Sequence, residues 1–205
     1  MDYINYPFIP FKPSEKSVLR RLGYNKDIQI DESMMLQTKE MIDKAADLCL
    51  PKARAVILPI IEKDKEYIIL GEILKIKSEK LSSMLKNSEE VLLMGATLGT
   101  RLVDRINLEI KSGDPVFAVV LDAYASQCVD ESLSYIMKTQ GLKDFRLGTK
   151  ITKHRFSAGY GDLNIKYQKD FYDILNLSDI GIYINESFML SPEKSVIALA
   201  GLEKK

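Results

Sequence analysis

The chain has few of the residues that build metal and redox sites. It carries one histidine, His154, and two cysteines, Cys49 and Cys128, in 205 residues. A single imidazole excludes zinc sites built on several histidines, and histidine-dependent catalysis would rest on that residue alone. The cysteines stand far apart in apolar, helix-like settings without CxxC spacing. Two buried, reduced thiols are the default reading. Charge of either sign is not in excess, with 29 basic and 29 acidic side chains. That balance gives no argument for a nucleic acid or an anionic membrane as partner. No apolar run approaches the length of a bilayer span. The stretch from Met1 to Lys16 lacks a basic segment followed by an apolar one, so it does not read as a signal peptide. Together these absences predict a cytoplasmic protein. Internal repeats and low-complexity tracts are absent too.

What is present suits a folded enzyme-sized or accessory domain. An apolar fraction of 46% is enough for a real core. The length fits one sizeable domain or two small ones. The expected organisation is a single domain over 1–205, with an arm and helices in 1–50 and a core in 51–205. Tyr3 to Pro13 holds three prolines and reads as an extended arm. Ser14 and Gly23 bracket a helix from Glu15 to Leu22. Asp31 or Ser33 could cap the next, which Pro51 stops. Ala53 to Ile61, Glu66 to Ile76 and Val91 to Met94 read as strands, with the charged run from Glu62 to Glu66 as a hairpin tip.

Gly95-Ala96-Thr97-Leu98-Gly99-Thr100-Arg101 joins a strand to a helix. It could cradle an anion, but it lacks the third glycine of a dinucleotide fingerprint and the lysine of a P-loop. Close packing of strand on helix is its other use. Pro115 opens a long helix to about Gln140, with Val116, Val119, Val120 and Ala123 as an apolar stripe. Asp122, Ser126 and Asp130, four apart, form a polar line on another face. A strand from Lys150 to Phe156, a helix from Ile165 to Leu175, and strands at Ile180 to Ile184 and Ser195 to Ala200 complete the pattern. This mixed order with short connections predicts an α+β fold, a twisted, largely antiparallel sheet flanked by helices.

The densest chemistry lies in Arg155-Phe156-Ser157-Ala158-Gly159-Tyr160-Gly161-Asp162. Arginine takes a carboxylate through two parallel bonds, glycine permits close backbone approach, and tyrosine offers a flat face. The composition alone fits either a surface turn or a loop holding a small zwitterion. Thirty-odd residues on comes Glu186-Ser187-Phe188-x-x-x-Pro192-x-x-Ser195-Val196. Upstream lie Ala96-Thr97-Leu98-Gly99 and Leu121-Asp122-Ala123-Tyr124, leading to Asp130. In this order, over roughly Val91 to Gly201, the motifs resemble the activation (reactivation) domain of cobalamin-dependent methionine synthase, in its stand-alone form.

The resemblance implies a fold, a ligand and a partner. In that family the domain presents S-adenosylmethionine to a cobalamin that has lost an electron. The cob(II)alamin is reduced by a flavodoxin- or ferredoxin-type electron donor and trapped as methylcobalamin. By resemblance, Arg155 would hold the methionyl carboxylate, Gly159 would let backbone approach the ligand, and Tyr160 could pack on it near the sulfonium. Ala158, Glu186 and Ser187 complete the implied binding set. The family places a glutamate on the long helix; the candidate position here carries Asp130, with Asp122 or Glu131 as alternatives. The transfer needs positioning and no protein nucleophile, so no catalytic residue and no metal ligand is expected. The cobalt-ligating histidine of the family belongs to another domain, and His154 is expected to be structural or exposed.

The family's domain runs on past the Ser195-to-Gly201 strand with further ligand contacts, so the resemblance also implies weaker S-adenosylmethionine binding by a chain ending at Lys205. No Asp-x-His-x-x-Gly cobalamin signature occurs. Cobalamin would then be carried by a partner, a cobalamin-binding methionine synthase or other corrinoid protein. Two other functions remain open: a docking module for a corrinoid protein that binds no S-adenosylmethionine, and an unrelated nucleotide-binding enzyme using Gly95 to Thr100.

Overall fold

Ser14 caps the first helix, its hydroxyl accepting from the Ser17 backbone N–H at 3.2 Å. In the computed structural model, which describes residues 1–24, 31–146 and 148–204, that helix is α1 (Glu15–Arg21) and the chain leaves it through Gly23. The arm before it contains a short strand, β1 (Ile4–Tyr6). α2 (Glu32–Leu48) follows, with Asp31 at its N-cap. Then come β2 (Lys52–Lys63), β3 (Tyr67–Leu70) and β4 (Leu74–Lys77). The run from Glu66 to Ile76, expected as one strand, is a hairpin, because Gly71 turns at φ +53°. α3 (Glu79–Met84), not anticipated, starts at Ser78, whose hydroxyl accepts from Leu81 N–H at 3.0 Å.

β5 (Ser88–Thr97), α4 (Thr100–Ser112) and α5 (Pro115–Arg146) form the middle of the chain. Asp114 starts α5 by accepting from the N–H groups of Val116 and Phe117 at 2.9 and 3.0 Å, beside a proline that has no N–H to satisfy. β6 (Thr149–Ile151) is shorter than the strand expected to reach Phe156. Phe156 instead makes an isolated bridge to Leu199. α6 (Tyr167–Leu175) is followed by a 3₁₀ turn (Leu177–Ile180), then β7 (Tyr183–Ile184), β8 (Leu190–Ser191) and β9 (Ser195–Lys204). The strand expected over Ile180 to Ile184 is thus shortened to Tyr183 and Ile184, because Ile180 ends a 3₁₀ turn bounded by Asn176 and Gly181 in left-handed conformations.

The main sheet has seven strands in the order β4-β3-β2-β5-β9-β6, with β1 pairing β2 beside that path. Every pairing is antiparallel. The fold is α+β. Both faces of the sheet are covered, and the strand period of two sorts the side chains between them. Leu92, Met94 and Ala96 of β5, with Ala198 and Ala200 of β9, face a core under α1, α2, α4 and α5. Val91, Leu93, Ile197 and Leu199 face a second core with α3, α6 and the 3₁₀ turn. Gly95 lies on that second side. A Cβ there would come within 2.8 Å of Leu177 Cδ2, so its smallness seats the 3₁₀ turn on the sheet. The strand–glycine–helix stretch is accordingly a packing device at Gly95 and a turn at Gly99, φ +79°.

Arg54 fixes the end of α6. Its guanidinium donates to the carbonyls of Leu175 and Asn176 and to Asp179 Oδ2, a cation placed where a helix presents unpaired carbonyls. The two cysteines meet in the first core. The hydrogen bond with Cys128, and then burial, push the Cys49 thiol well up, which favours the protonated form.

The stripe expected on α5 differs from the one observed. Val116 and Val119 are 63% and 61% exposed, whereas Val120 and Ala123 of the expected stripe are buried, joined by Phe117, Leu121, Tyr124 and Cys128. α5 packs against α2 and α4 as well as the sheet, so more than one face is apolar and a single stripe cannot be read from spacing. No helix among the described residues is long and apolar enough to cross a membrane.

Candidate functional site

The polar line of α5 is not simply solvent-facing. Lys194 reaches it from the start of β9, its Nζ 2.7 Å from Asp122 Oδ1 and 2.8 Å from Ser126 Oγ. Arg155 takes the next position. One guanidinium nitrogen, Nη2, donates to Asp130 Oδ1 at 2.6 Å and to the Asp130 carbonyl at 3.1 Å. Nη1 donates to Ser134 Oγ at 2.9 Å. Two cations, one from each sequence motif, therefore dock on successive turns of one helix. This is what the four-residue spacing of Asp122, Ser126 and Asp130 encodes.

Past Arg155 the chain is held by β9 and by its own turns. Phe156 exchanges two backbone hydrogen bonds of 2.8 Å with Leu199. Gly159, at φ +87°, donates to the Leu163 carbonyl at 2.8 Å, and Leu163 donates back to the Tyr160 carbonyl at 3.0 Å. A Cβ at Gly159 would lie 3.0 Å from Ile165 Cδ1. The turn needs glycine for its backbone angle and for this close approach.

Asp162 closes the loop onto α3. It accepts from Ser78 Oγ at 2.5 Å and from the Lys80 N–H at 3.2 Å. These bonds, the Ser78 hydroxyl first, hold its carboxyl below the usual 3.8. Asp162→Ala is expected to lower Tm near neutral pH by about 2–4 °C, the loss of one cap. The folded state depresses this pKa, so the stabilisation is present above the ordinary value and lost as pH falls through the depressed one. Melting curves at pH 7 and pH 3 should show the gap between wild type and variant narrowing on acidification.

Between this loop, α5, α6 and the start of β9 lies a cleft of about 590 Å³. Asp130, Arg155, Ala158 and Tyr160 line it, together with Phe156, Ser157, Ile165, Gln168, Met189, Leu190, Glu193, Ser195, Val196 and Ile197. Its size falls within the range of small-molecule sites, and its wall is apolar with a few polar groups. Tyr160, which lines the cleft, is 71% exposed. Gly159 shapes the loop from just outside the lining.

Glu186 and Ser187 are not among the lining residues. They sit exposed at the tip of the β7–β8 hairpin, where Asn185 Oδ1 accepts from the N–H groups of Ser187 and Met189 at 2.9 Å each. Gln168 of α6 steadies that hairpin by donating to the Phe188 carbonyl at 2.6 Å. Asp122, one alternative to Asp130, is engaged by Lys194 away from the cleft. The other, Glu131, accepts from Gln127 Nε2 at 2.6 Å. His154 is exposed and also outside the lining.

Sequence reasoning missed Ser134, Gln168, Glu193 and Lys194. The last two fill the unspecified places of Pro192-x-x-Ser195, so the motif itself carried no sign of their charge. Gln168 and Ser134 lie one or two helical turns from recognised residues and were detectable only by helical spacing.

No protein-family model matches the chain, and no curated protein matches it by sequence. Among solved structures it is similar to the crystal structure of the MetH reactivation domain bound to AdoHcy. The superposition covers 98% of this chain and 78% of that one, with a TM-score of 0.67 and 11% sequence identity. The likeness extends over the arm, both cores and the cleft-bearing half, and at this identity it is a likeness of architecture: the chain has the fold of the MetH reactivation domain.

Proposed function

We propose that the cleft binds S-adenosylmethionine and that the chain acts as a stand-alone reactivation protein for a cobalamin-dependent methionine synthase or a related corrinoid methyltransferase. The observation that carries this reading is Arg155 on the wall of a small-molecule-sized cleft, beside Ala158 and Tyr160, in a fold shared with a domain whose crystal structure holds AdoHcy. The residues present fit the ligand's chemistry. A guanidinium suits its carboxylate, an exposed aromatic ring suits its cationic end, and the apolar wall of Ile165, Leu190 and Val196 suits its flat and aliphatic parts.

S-adenosylmethionine supplies a methyl group activated on sulfur. The chain's residues would bind and orient it. Arg155 sets the carboxylate end against α5, Tyr160 covers the open side, and the turn at Gly159 keeps that ring at the cleft mouth. Cobalamin would be carried by the partner, and electrons would come from a flavodoxin- or ferredoxin-type donor.

One observation favours a second reading, a corrinoid-protein docking module that binds no S-adenosylmethionine. Arg155 already has a carboxylate, a carbonyl and a hydroxyl as partners. Isothermal titration of the wild-type protein with S-adenosylmethionine separates the two. Saturable heat supports the first reading. Its absence at millimolar ligand, together with retained capture of a corrinoid methyltransferase, supports the second and overturns the first.

A further inference from the structure

Three charged side chains line the cleft: Asp130, Arg155 and Glu193. The first two neutralise each other at 2.6 Å. Glu193 has no ion pair or hydrogen bond among the described residues, so the cleft carries one uncompensated negative charge. The neighbouring lysine does not cancel it, because Lys194 is spent on Asp122 and Ser126.

The backbone carrying Glu193 is firmly placed. The Lys194 side chain, 13% exposed, is tied to α5. The Lys194 carbonyl accepts from Leu98 N–H at 3.0 Å, and Ser195 Oγ lies 2.8 Å from Thr97 Oγ1. Glu193 thus lines the cleft from a firmly held strand start.

We propose that Glu193 makes the cleft selective for a cationic ligand, favouring a sulfonium over the neutral thioether of otherwise matching structure. The proposal rests on the S-adenosylmethionine reading and sharpens it. S-adenosylmethionine and S-adenosylhomocysteine share the carboxylate, the ammonium and the nucleoside. They differ by one methyl group and one positive charge, so the change in their affinity ratio on neutralising Glu193 reads the charge at sulfur. A carboxylate able to approach the sulfur to about 4 Å in a water-filled cleft would give a preference of roughly 3- to 10-fold. Added salt reduces it, since the group is exposed. The functional sense is that the spent ligand is held less tightly than the fresh one.

The test is titration calorimetry of wild type and Glu193→Gln with both ligands, at about 50 and 500 mM salt. The expected result is a wild-type preference for the sulfonium at low salt. Glu193→Gln should bring the ratio to near one while leaving thioether affinity unchanged. A preference that survives in Glu193→Gln, or a variant that weakens both ligands equally, overturns the proposal while the S-adenosylmethionine reading stands. So does a wild type that binds both ligands equally. Wild type binding neither ligand overturns the S-adenosylmethionine reading itself. Glu193 is exposed, and glutamine keeps its shape, so the variant folds as wild type.

Discussion

Arg155→Ala is expected to weaken S-adenosylmethionine binding by at least about 30-fold, the loss of a charge-assisted carboxylate clamp worth about 2–5 kcal/mol. The clamp is the proposed anchor, and the cleft lining holds no second cation to replace it. Arg155→Lys should recover little, because an ammonium cannot make two parallel bonds to a carboxylate. Stability should barely move. Asp130 is 46% exposed, and ion pairs of that kind contribute about 0–1 kcal/mol. A large loss of affinity with an almost unchanged Tm is therefore the signature of the clamp. Asp130→Asn adds a second reading from the same titration. It frees the guanidinium without removing it, so its effect should be smaller than that of Arg155→Ala. The double variant should be no worse than Arg155→Ala alone, because residues in one network are not additive. Equal affinities for wild type and Arg155→Ala would remove Arg155 from the site.

The parts of the site that were legible in the sequence are those set by local rules. Arg155, Gly159 and Tyr160 fall in one loop, and the four-residue spacing of Asp122, Ser126 and Asp130 puts them on one helix face. Joining the two is a tertiary event. Nothing local says that Arg155 reaches back 25 residues to Asp130, or that Lys194 reaches back 68 to Ser126. The fold class followed from strands with short connections. The misread elements have backbone causes. Gly71 broke one expected strand into a hairpin, and the left-handed turn at Gly181, closing a 3₁₀ turn, delayed the start of another to Tyr183. α3 was missed because six residues, four of them polar, give no helical period. They form a helix where Ser78 caps them and Asp162 docks on their first turn from 82 residues away. Glu186 and Ser187 entered by motif and stand exposed in the hairpin tip, outside the cleft lining.

Phe171→Ala is expected to have the largest effect on stability. Phe171 is fully buried in the second core, on α6, among Leu175, Leu177, Leu199 and Tyr167. Removing a buried phenyl ring costs about 3–5 kcal/mol, the lost transfer energy plus the cavity left behind. For a chain of this length that is a fall in Tm of about 6–20 °C. Relief by collapse is limited. α6 is pinned at its C-terminal end by Arg54 on the Leu175 and Asn176 carbonyls, and near its start the Tyr167 hydroxyl accepts from Lys77 N–H at 3.0 Å. A helix held at both ends cannot settle into the void. The same core carries the cleft wall, since Ile197 and Ile165 belong to it or pack against it and also line the cleft. Phe171→Ala should therefore weaken ligand binding at temperatures where the protein is still folded. Arg155→Ala shows the opposite pattern, weak binding with normal melting. Thermal melts and titrations on the two variants side by side separate the clamp from its scaffold. A Tm fall of under about 3 °C for Phe171→Ala would mean that α6 is not held as its end contacts imply.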